Sequence, residues 1–393
     1  RMKVVATIHY PDGTTAPITL KNPITGTVFT TGNINAEATP FAKAVLAALP
    51  TNTLNNGAVA YNTIANNYTA SPRGTIQDDK ADARIDHTFN QKWSLFSRYS
   101  EHRGTIFDPP TVLGRAGGNG NSNVNLLNRQ IAGGVTWIAA PNKLVDVRFA
   151  YTKNQGGKSP YGQGHPSLLA ENGITNGVPT DKNIVRDLNA QSVSGFTQFG
   201  AQSSSPQFQN PTIYDPKANF TWVRSKHSMK LGYEYQAVNT QVNDFNPSYG
   251  QDNYASGYAA AAVASPDTAA GNTNNTQLSQ ASNLADFLFG NQSSYSLTNY
   301  AVVNLRQRFN FMYFQDDYKF SPTLTINAGM RYEIVTPQWE RDNKLANFDP
   351  ATKTLLQASN GSVYNRALVH VPTKNFGPRF GFAWSATPQT VVR

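Results

Sequence analysis

The sequence predicts an all-β fold, an antiparallel β-barrel that crosses a membrane and carries long outer loops. Three patterns predict it. Apolar and polar residues alternate with period two in segment after segment. The connections between segments alternate between short and long. Tryptophan and tyrosine recur beside the short connections.

Residues 1–79 read as an irregular, turn-rich segment, with NPITGTVF typical of it. One helix is expected there. Thr39 suits an N-cap, Pro40 suits the first helical position, and Phe41, Val45 and Leu49 follow at helical spacing.

From Lys80 the pattern changes, and 80–393 reads as the barrel part. ADARIDHTF breaks at NQK and resumes as WSLFSRYSEH. QIAGGVTW breaks at IAAPNK and resumes as LVDVRFAYT, where Val145, Val147, Phe149 and Tyr151 oppose Asp146, Arg148, Ala150 and Thr152. ANFTWV breaks at RSKHS and resumes as MKLGYEYQ. RFNFMYFQDDYKF breaks at Phe320–Thr323 and resumes as LTINAGMRYE. FGPRFGFAW opens a fifth hairpin, breaks at SATPQ and stops. The chain therefore reads as a piece of a longer one, with about ten strands of roughly 9–11 residues, the length of a tilted membrane crossing. The breaks span about three to six residues. The gaps between hairpins, near 104–126, 154–211, 241–304 and 336–375, are rich in Gly, Asn, Ser, Gln and Pro. Loops beyond about 15 residues are uncommon in compact soluble domains.

Trp93, Trp137, Trp222 and Trp384 each flank a short break, and Tyr318 does so in the fourth hairpin. These five are the candidate aromatic belt at one membrane interface. An arginine facing lipid near the midplane costs about 2–4 kcal/mol, so the charged partners of the alternation must face inward. Arg98, Arg148, Glu234, Arg331 and Glu333 are the candidate lumen-facing residues, with mutual ion pairs across neighbouring strands the competing role. Two places strain the two-face rule. Phe309, Phe311 and Tyr313 alternate with Met312 and Phe314, which leaves a bulge or a packed lumen open. His87 shares a face with Ile85 and Phe89, which suits only a position near an interface.

Bulk composition agrees. Of 393 residues, 39% are hydrophobic and only 15% charged, against about 25% charged in a typical soluble protein. The formal net charge of +9 comes from Lys and Arg spread singly, the pattern of a scattered surface excess and not of a nucleic-acid site. Cysteine is absent, so disulfides and thiolate metal sites are excluded. No stretch approaches the roughly 18 apolar residues of a membrane helix, and no signal peptide follows the opening RMKVVAT.

Catalytic signatures are missing. There is no GxxxxGK[ST], GxSxG or HExxH, and GGNGNS lacks dinucleotide-loop spacing. The six histidines are dispersed. Asp316 and Asp317 point to opposite sides of a strand and do not converge. SPDTAAGNTNNTQ lacks EF-hand spacing. No enzyme activity, metal or cofactor is expected.

YFQDDYKFSPTLTINAGMRYE resembles a barrel hairpin of TonB-dependent outer-membrane receptors, especially the Oar-like branch. ARIDHTFNQKWSLFSRYSE, FTWVRSKHSMKLGYEY, ADFLFG and NFGPRFGFAW resemble other recurrent segments of that branch, in the same order, over about residues 20–393. The resemblance implies a 22-stranded barrel in the bacterial outer membrane, in contact with lipid and lipopolysaccharide. It also implies a plug domain and TonB coupling through an N-terminal region, neither of which lies in this chain. The activity it implies is uptake of an unidentified ligand: a glycan, an oligomer or a chelate. A passive porin, a surface adhesin and a secreted all-β carbohydrate-binding protein or hydrolase remain the alternatives.

Overall fold

The computed structural model describes residues 7–9, 15–30, 34–50, 68–261, 275–299 and 301–393. Ten strands lie in one antiparallel sheet, and their spatial order is their chain order. They are β1 (Thr75–Asn90), β2 (Trp93–Asp108), β3 (Ser122–Ala140), β4 (Lys143–Ser159) and β5 (Gln207–Arg224). Then come β6 (His227–Asn243), β7 (Val303–Ser321), β8 (Leu324–Val335), β9 (Phe376–Thr387) and β10 (Thr390–Val392). A short strand, Trp339–Glu340, adds to the far end of β7. β1 and β10 are the two edges, so the sheet is not closed on itself.

The short connections are tighter than expected. Gln91–Lys92, Pro141–Asn142, Ser225–Lys226, Pro322–Thr323 and Pro388–Gln389 are two-residue turns. The ladder runs on through the polar residues that hide the alternation. Four hairpins absorb the turn with a register shift beside it, at Thr88/Asn90, Ile138/Ala140, Lys319/Ser321 and Ser385/Thr387. The third has no shift and instead places Ser225 at φ 53°.

The strands are longer than expected. β1 to β7 have 16 to 19 residues each. In the extra length polar residues interrupt both sides. On the face that carries Trp222, β5 is apolar or aromatic from Trp222 to Tyr214, with Pro216 and Ala218 between. That stretch is about one tilted membrane crossing. Beyond it the same face continues with Thr212, opposite Lys153. On the neighbouring strands the same row holds Glu101, Arg129 and Lys153 in register.

The long connections, 109–121, 160–206, 244–302 and 336–375, all leave the other end of the sheet. The described parts of the first three are packed together. The buried core of the protein lies among them and residues 18–45, and joins Leu20, Phe41, Val45, Leu188, Val193, Tyr249, Tyr254, Phe287 and Leu288. Among the buried hydrophobic residues only Ala237 comes from the ten-stranded sheet. The expected helix is present as α1 (Pro40–Ala48), with the Thr39 hydroxyl accepting from the Ala42 amide and Phe41, Ala42 and Val45 buried. A second helix, α2 (Asn275–Phe289), supplies Phe287, whose ring meets Phe41, Phe199 and Tyr254 at 6.5, 5.3 and 5.4 Å. A small sheet of Ala190–Val193, Gln251–Tyr254 and Ser294–Ser296 completes this cap. Most of SPDTAAGNTNNTQ lies outside the described residues.

Candidate functional surfaces

Directly opposed residues in an antiparallel ladder share a face, so register carries face identity across the sheet. Arg98 opposes Ala132, and Ala132 opposes Ala150. Arg148 opposes Lys217, and Lys217 opposes Glu234. Glu234 opposes Phe311, which opposes Glu333, and Arg331 lies two residues before Glu333 on the same strand. All five sequence-selected charges therefore share one continuous face.

The five selected aromatics share the other face. Trp93 opposes Trp137, and their rings stack at 5.1 Å. Trp137 opposes Val145, which opposes Phe220, two residues from Trp222. Trp222 opposes Met229, and Tyr318 opposes His227 and Ile326. Trp384 opposes Leu324. Each lies within a few residues of a two-residue turn.

The aromatic face carries the apolar alternation, and nothing among the described residues covers it. Leu231 is 47% exposed, Val147 46% and Phe380 77%. A contiguous apolar surface left uncovered marks contact with a non-aqueous partner. His87 lies on this face against the edge of Phe89, three residues from the end of β1.

The charged face is internally paired. Arg84 is bidentate to Asp86, with both contacts at 2.7 Å. Arg98 reaches Asp82 on the next strand at 2.7 Å, and Arg148 reaches Asp146 at 2.8 Å. Arg331 pairs with Glu333. Four of the five are thus ion-paired, but only Arg98 pairs across strands, with Asp82, and only Arg331 and Glu333 pair with each other. Arg84 and Arg98 are directly opposed, and each turns to its own carboxylate.

The mixed strand β7 resolves by register. Met312 opposes Tyr233 and Tyr332, and Phe314 opposes Leu231 and Met330, so both belong to the apolar face. Phe309, Phe311 and Tyr313 are the ones on the charged face, and the only register shift in the β7–β8 pairing is near the turn. Tyr313, and Phe96 on the same face, are accommodated by glycine. A Cβ on Gly232 would lie 2.2 Å from a Tyr313 ring carbon, and one on Gly134 would lie 2.5 Å from Phe96. The rings lie in the slots left by missing side chains. Tyr313 Oη donates to Asn219 Oδ1 at 2.9 Å, and the guanidinium of Arg331 sits 5.7 Å from the Phe311 ring centre. A recess of about 330 Å³ here is lined by Glu234, Phe311, Tyr313, Gln315, Gly329, Arg331 and Arg379, together with Tyr233, Met312, Phe314 and Met330 of the apolar face. Sequence reasoning took Met312 and Phe314 as the misfits of this strand; for Tyr313, the glycine directly opposite it, Gly232, is the signal for a ring on the charged face.

Asp316 and Asp317 diverge as expected. Asp316 contacts His227 Nδ1 at 2.6 Å on the apolar face, near the turn. Asp317 accepts from Asn327 at 2.5 Å on the charged face. Among the described residues, no group of three or more His, Cys, Asp or Glu could hold a metal ion.

The cap has its own polar core. Asp252 is buried and accepts from Asn189, Gln191 and Gln292 at 2.6–2.7 Å. Burial pushes its carboxyl above the usual range. Arg186 is buried against Tyr249, donates to the carbonyls of Ile184, Gln202 and Ser205, and is pushed down to about 10 by burial. Asp286, in the ADFLFG stretch, takes the amides of Tyr258 and Ala259 at 2.8 Å on its two oxygens. The Lys21 amide in turn bonds to the Ala259 carbonyl at 2.9 Å, and the Thr39 amide to the Leu288 carbonyl at 2.9 Å. This stretch therefore ties α2, the loop at 257–259 and residues 20–39 together. Burial raises the Asp286 carboxyl to about 6.

A family model described as an outer membrane beta barrel domain matches residues 4–393. Among solved structures, the chain is similar to the outer membrane transporter YddB from Escherichia coli. The two are 8% identical with a TM-score of 0.42, and the match covers 85% of this chain and 32% of that one. It is similar to the ferric citrate transporter FecA in its unliganded form, at 8% identity and a TM-score of 0.36, over 80% of this chain and 34% of that one. It is also similar to the ferric-catecholate import receptor Fiu from K12 E. coli, at 9% identity and a TM-score of 0.38, over 79% and 40%. The chain thus spans between about a third and two fifths of those proteins. No curated protein matches the sequence.

Proposed function

The chain belongs to the outer membrane β-barrel domain family, and on that premise we propose that it is the wall and outer cap of a receptor that captures a ligand and passes it inward with energy from the TonB complex. Its place in the outer membrane brings it into contact with lipid and lipopolysaccharide. In this reading the face of Trp93, Trp137, Trp222, Tyr318 and Trp384 meets lipid, with these five at the inner interface. Arg98, Arg148, Glu234, Arg331 and Glu333 line the lumen. The described residues between Ile18 and Val45 and the long loops form the outer cap, and the strands from Thr75 onward supply the wall.

One observation carries the proposal. The five charges fall on one continuous face and the five belt aromatics on the other, while none of the described residues lies over the apolar side. A soluble sandwich would bury that side against a second sheet. The packed cap favours a receptor over a passive porin, whose loops leave the channel mouth open. The activity proposed is capture and passage, not catalysis.

The ligand class we propose is polar and glycan-like, and the Oar-like branch is the branch proposed for the family. Aromatic rings beside Arg, Glu and Gln, as around Phe311 and Tyr313, suit stacking on sugar faces with hydrogen bonds at the rim. The test is uptake of labelled oligosaccharides by cells carrying the full-length receptor, with and without TonB. TonB-dependent uptake supports the reading. Diffusive uptake unchanged without TonB gives the porin alternative, and no uptake of any polar ligand overturns it.

A further inference from the structure

The short-turn rim carries a charge pattern that the reading above does not use. Within residues 88–94, 138–144, 222–228, 319–325 and 385–391 there is no Asp or Glu. The same segments hold Lys92, Lys143, Arg224, Lys226 and Lys319. Among the described residues no carboxylate pairs with any of these five. At the other limit of the apolar band two of the cations have a carboxylate, Arg129 and Arg103 both reaching Glu101 at 2.9 and 3.4 Å, whereas Lys153 in the same row has no ion pair among the described residues.

The rim is a fixed row. Each turn bonds to the next: Ile138 N to Lys92 O at 2.8 Å, Val223 N to Asn142 O at 2.9 Å, Lys319 N to Lys226 O at 2.8 Å, and Ser385 N to Thr323 O at 2.8 Å. Six strands from β2 to β7 at about 4.8 Å spacing give this row a length of roughly 24 Å. The cations are also coupled to the belt. The ammonium of Lys143 and the guanidinium of Arg224 lie over the Trp222 ring, each 5.4 Å from its centre. Tyr318 stacks on His227 at 4.4 Å beside them.

We infer that this rim binds the phosphate groups of anionic phospholipids in the leaflet that the short turns face. The inference rests on the membrane reading above. Tryptophan rings at interface depth set the level, uncompensated cations beside them supply the charge, and an anionic headgroup completes the pairing that no residue of the described chain provides. A zwitterionic headgroup brings its own cation and gains less.

The experiment uses the full-length receptor in vesicles of phosphatidylcholine with increasing phosphatidylglycerol. Brominated forms of each lipid quench tryptophan fluorescence on contact, so their relative quenching gives the preference at the belt. The expected result is preferential quenching by brominated phosphatidylglycerol that weakens with salt. The variant Lys92→Gln/Lys143→Gln/Lys226→Gln should lower the preference on the order of ten-fold, with the heat-modifiable gel shift unchanged. Equal quenching by both lipids overturns the inference, as does a preference that survives in the triple variant. Labelling of a Gln91→Cys variant in intact cells separates this from failure of the topology: external labelling would overturn the orientation itself.

Discussion

Val147 is the place to ask what lies against the apolar face. It sits mid-band, opposite Val135 and Ala218, two residues from the level of Trp137 and four from Tyr151. It is 46% exposed in the isolated chain. If water met this face, Val147→Arg would be a surface change within about 0.5 kcal/mol of neutral. If lipid meets it, a guanidinium near the midplane costs about 2–4 kcal/mol. That is roughly a 30- to 1000-fold loss in the folded-to-unfolded ratio, at about 1.4 kcal/mol per factor of ten. The control is Ala150→Arg on the charged face, where Asp215 lies directly opposite and offers a carboxylate. Denaturant titration in vesicles, read by tryptophan fluorescence and heat-modifiability, should show a loss for Val147→Arg and a change within about 0.5 kcal/mol for Ala150→Arg. Equal, small effects for both variants refute the two-face assignment.

Further outcomes follow from the glycine slots and the cap. Gly232→Ala places a methyl group where the Tyr313 ring lies, so it should lower stability by about 1–3 kcal/mol; a midpoint unchanged from wild type would show that the ring moves freely. Thr39→Ala removes the N-cap of α1 and should cost about 1 kcal/mol, seen as faster hydrogen exchange over 40–48. Asp286→Asn offers one acceptor where two amides point, so exchange at Tyr258 and Ala259 should quicken while the sheet stays protected. The pH dependence of the same group has a defined sign. Its folded value of about 6 lies above the usual carboxyl range, so the folded cap binds a proton that the unfolded chain does not. Its contribution to stability therefore grows as pH falls from about 6 toward 4 and is lost on the way back up; Asp286→Asn should remove that slope from the cap's opening equilibrium.

The parts of the fold that were legible are those with a period. Val145 to Tyr151 and Met229 to Gln236 alternate because one side of each strand meets a different medium from the other, and that difference is written residue by residue. The Thr39–Pro40 start of α1 was legible because capping is local chemistry. Strand ends were not, since beyond Glu101, Arg129 and Lys153 polar residues interrupt both faces and the clean alternation is lost while the hydrogen-bond ladder continues. The cap core was not legible either. Leu20, Leu188, Tyr249 and Phe287 come from distant, aperiodic stretches, and nothing local says that they meet. ADFLFG was visible as a recurrent string, but its work is tertiary: Asp286 holds amides of another loop. The five charges could be placed on one side of their own strands from sequence. That they share one side of the whole sheet needed the register across every intervening strand.

Residues Met229 to Gln236 of β6 offer the most direct test. A spin label placed at each of these positions in turn, in the full-length receptor in vesicles, reports collisions with oxygen in lipid and with a water-soluble nickel chelate in the aqueous phase. The account predicts period two, with oxygen favoured at Met229, Leu231, Tyr233 and Tyr235 and the nickel chelate or protein contact at Lys230, Gly232, Glu234 and Gln236. Nickel access at all eight positions alike, or oxygen favoured at Glu234 rather than Tyr233, would contradict it.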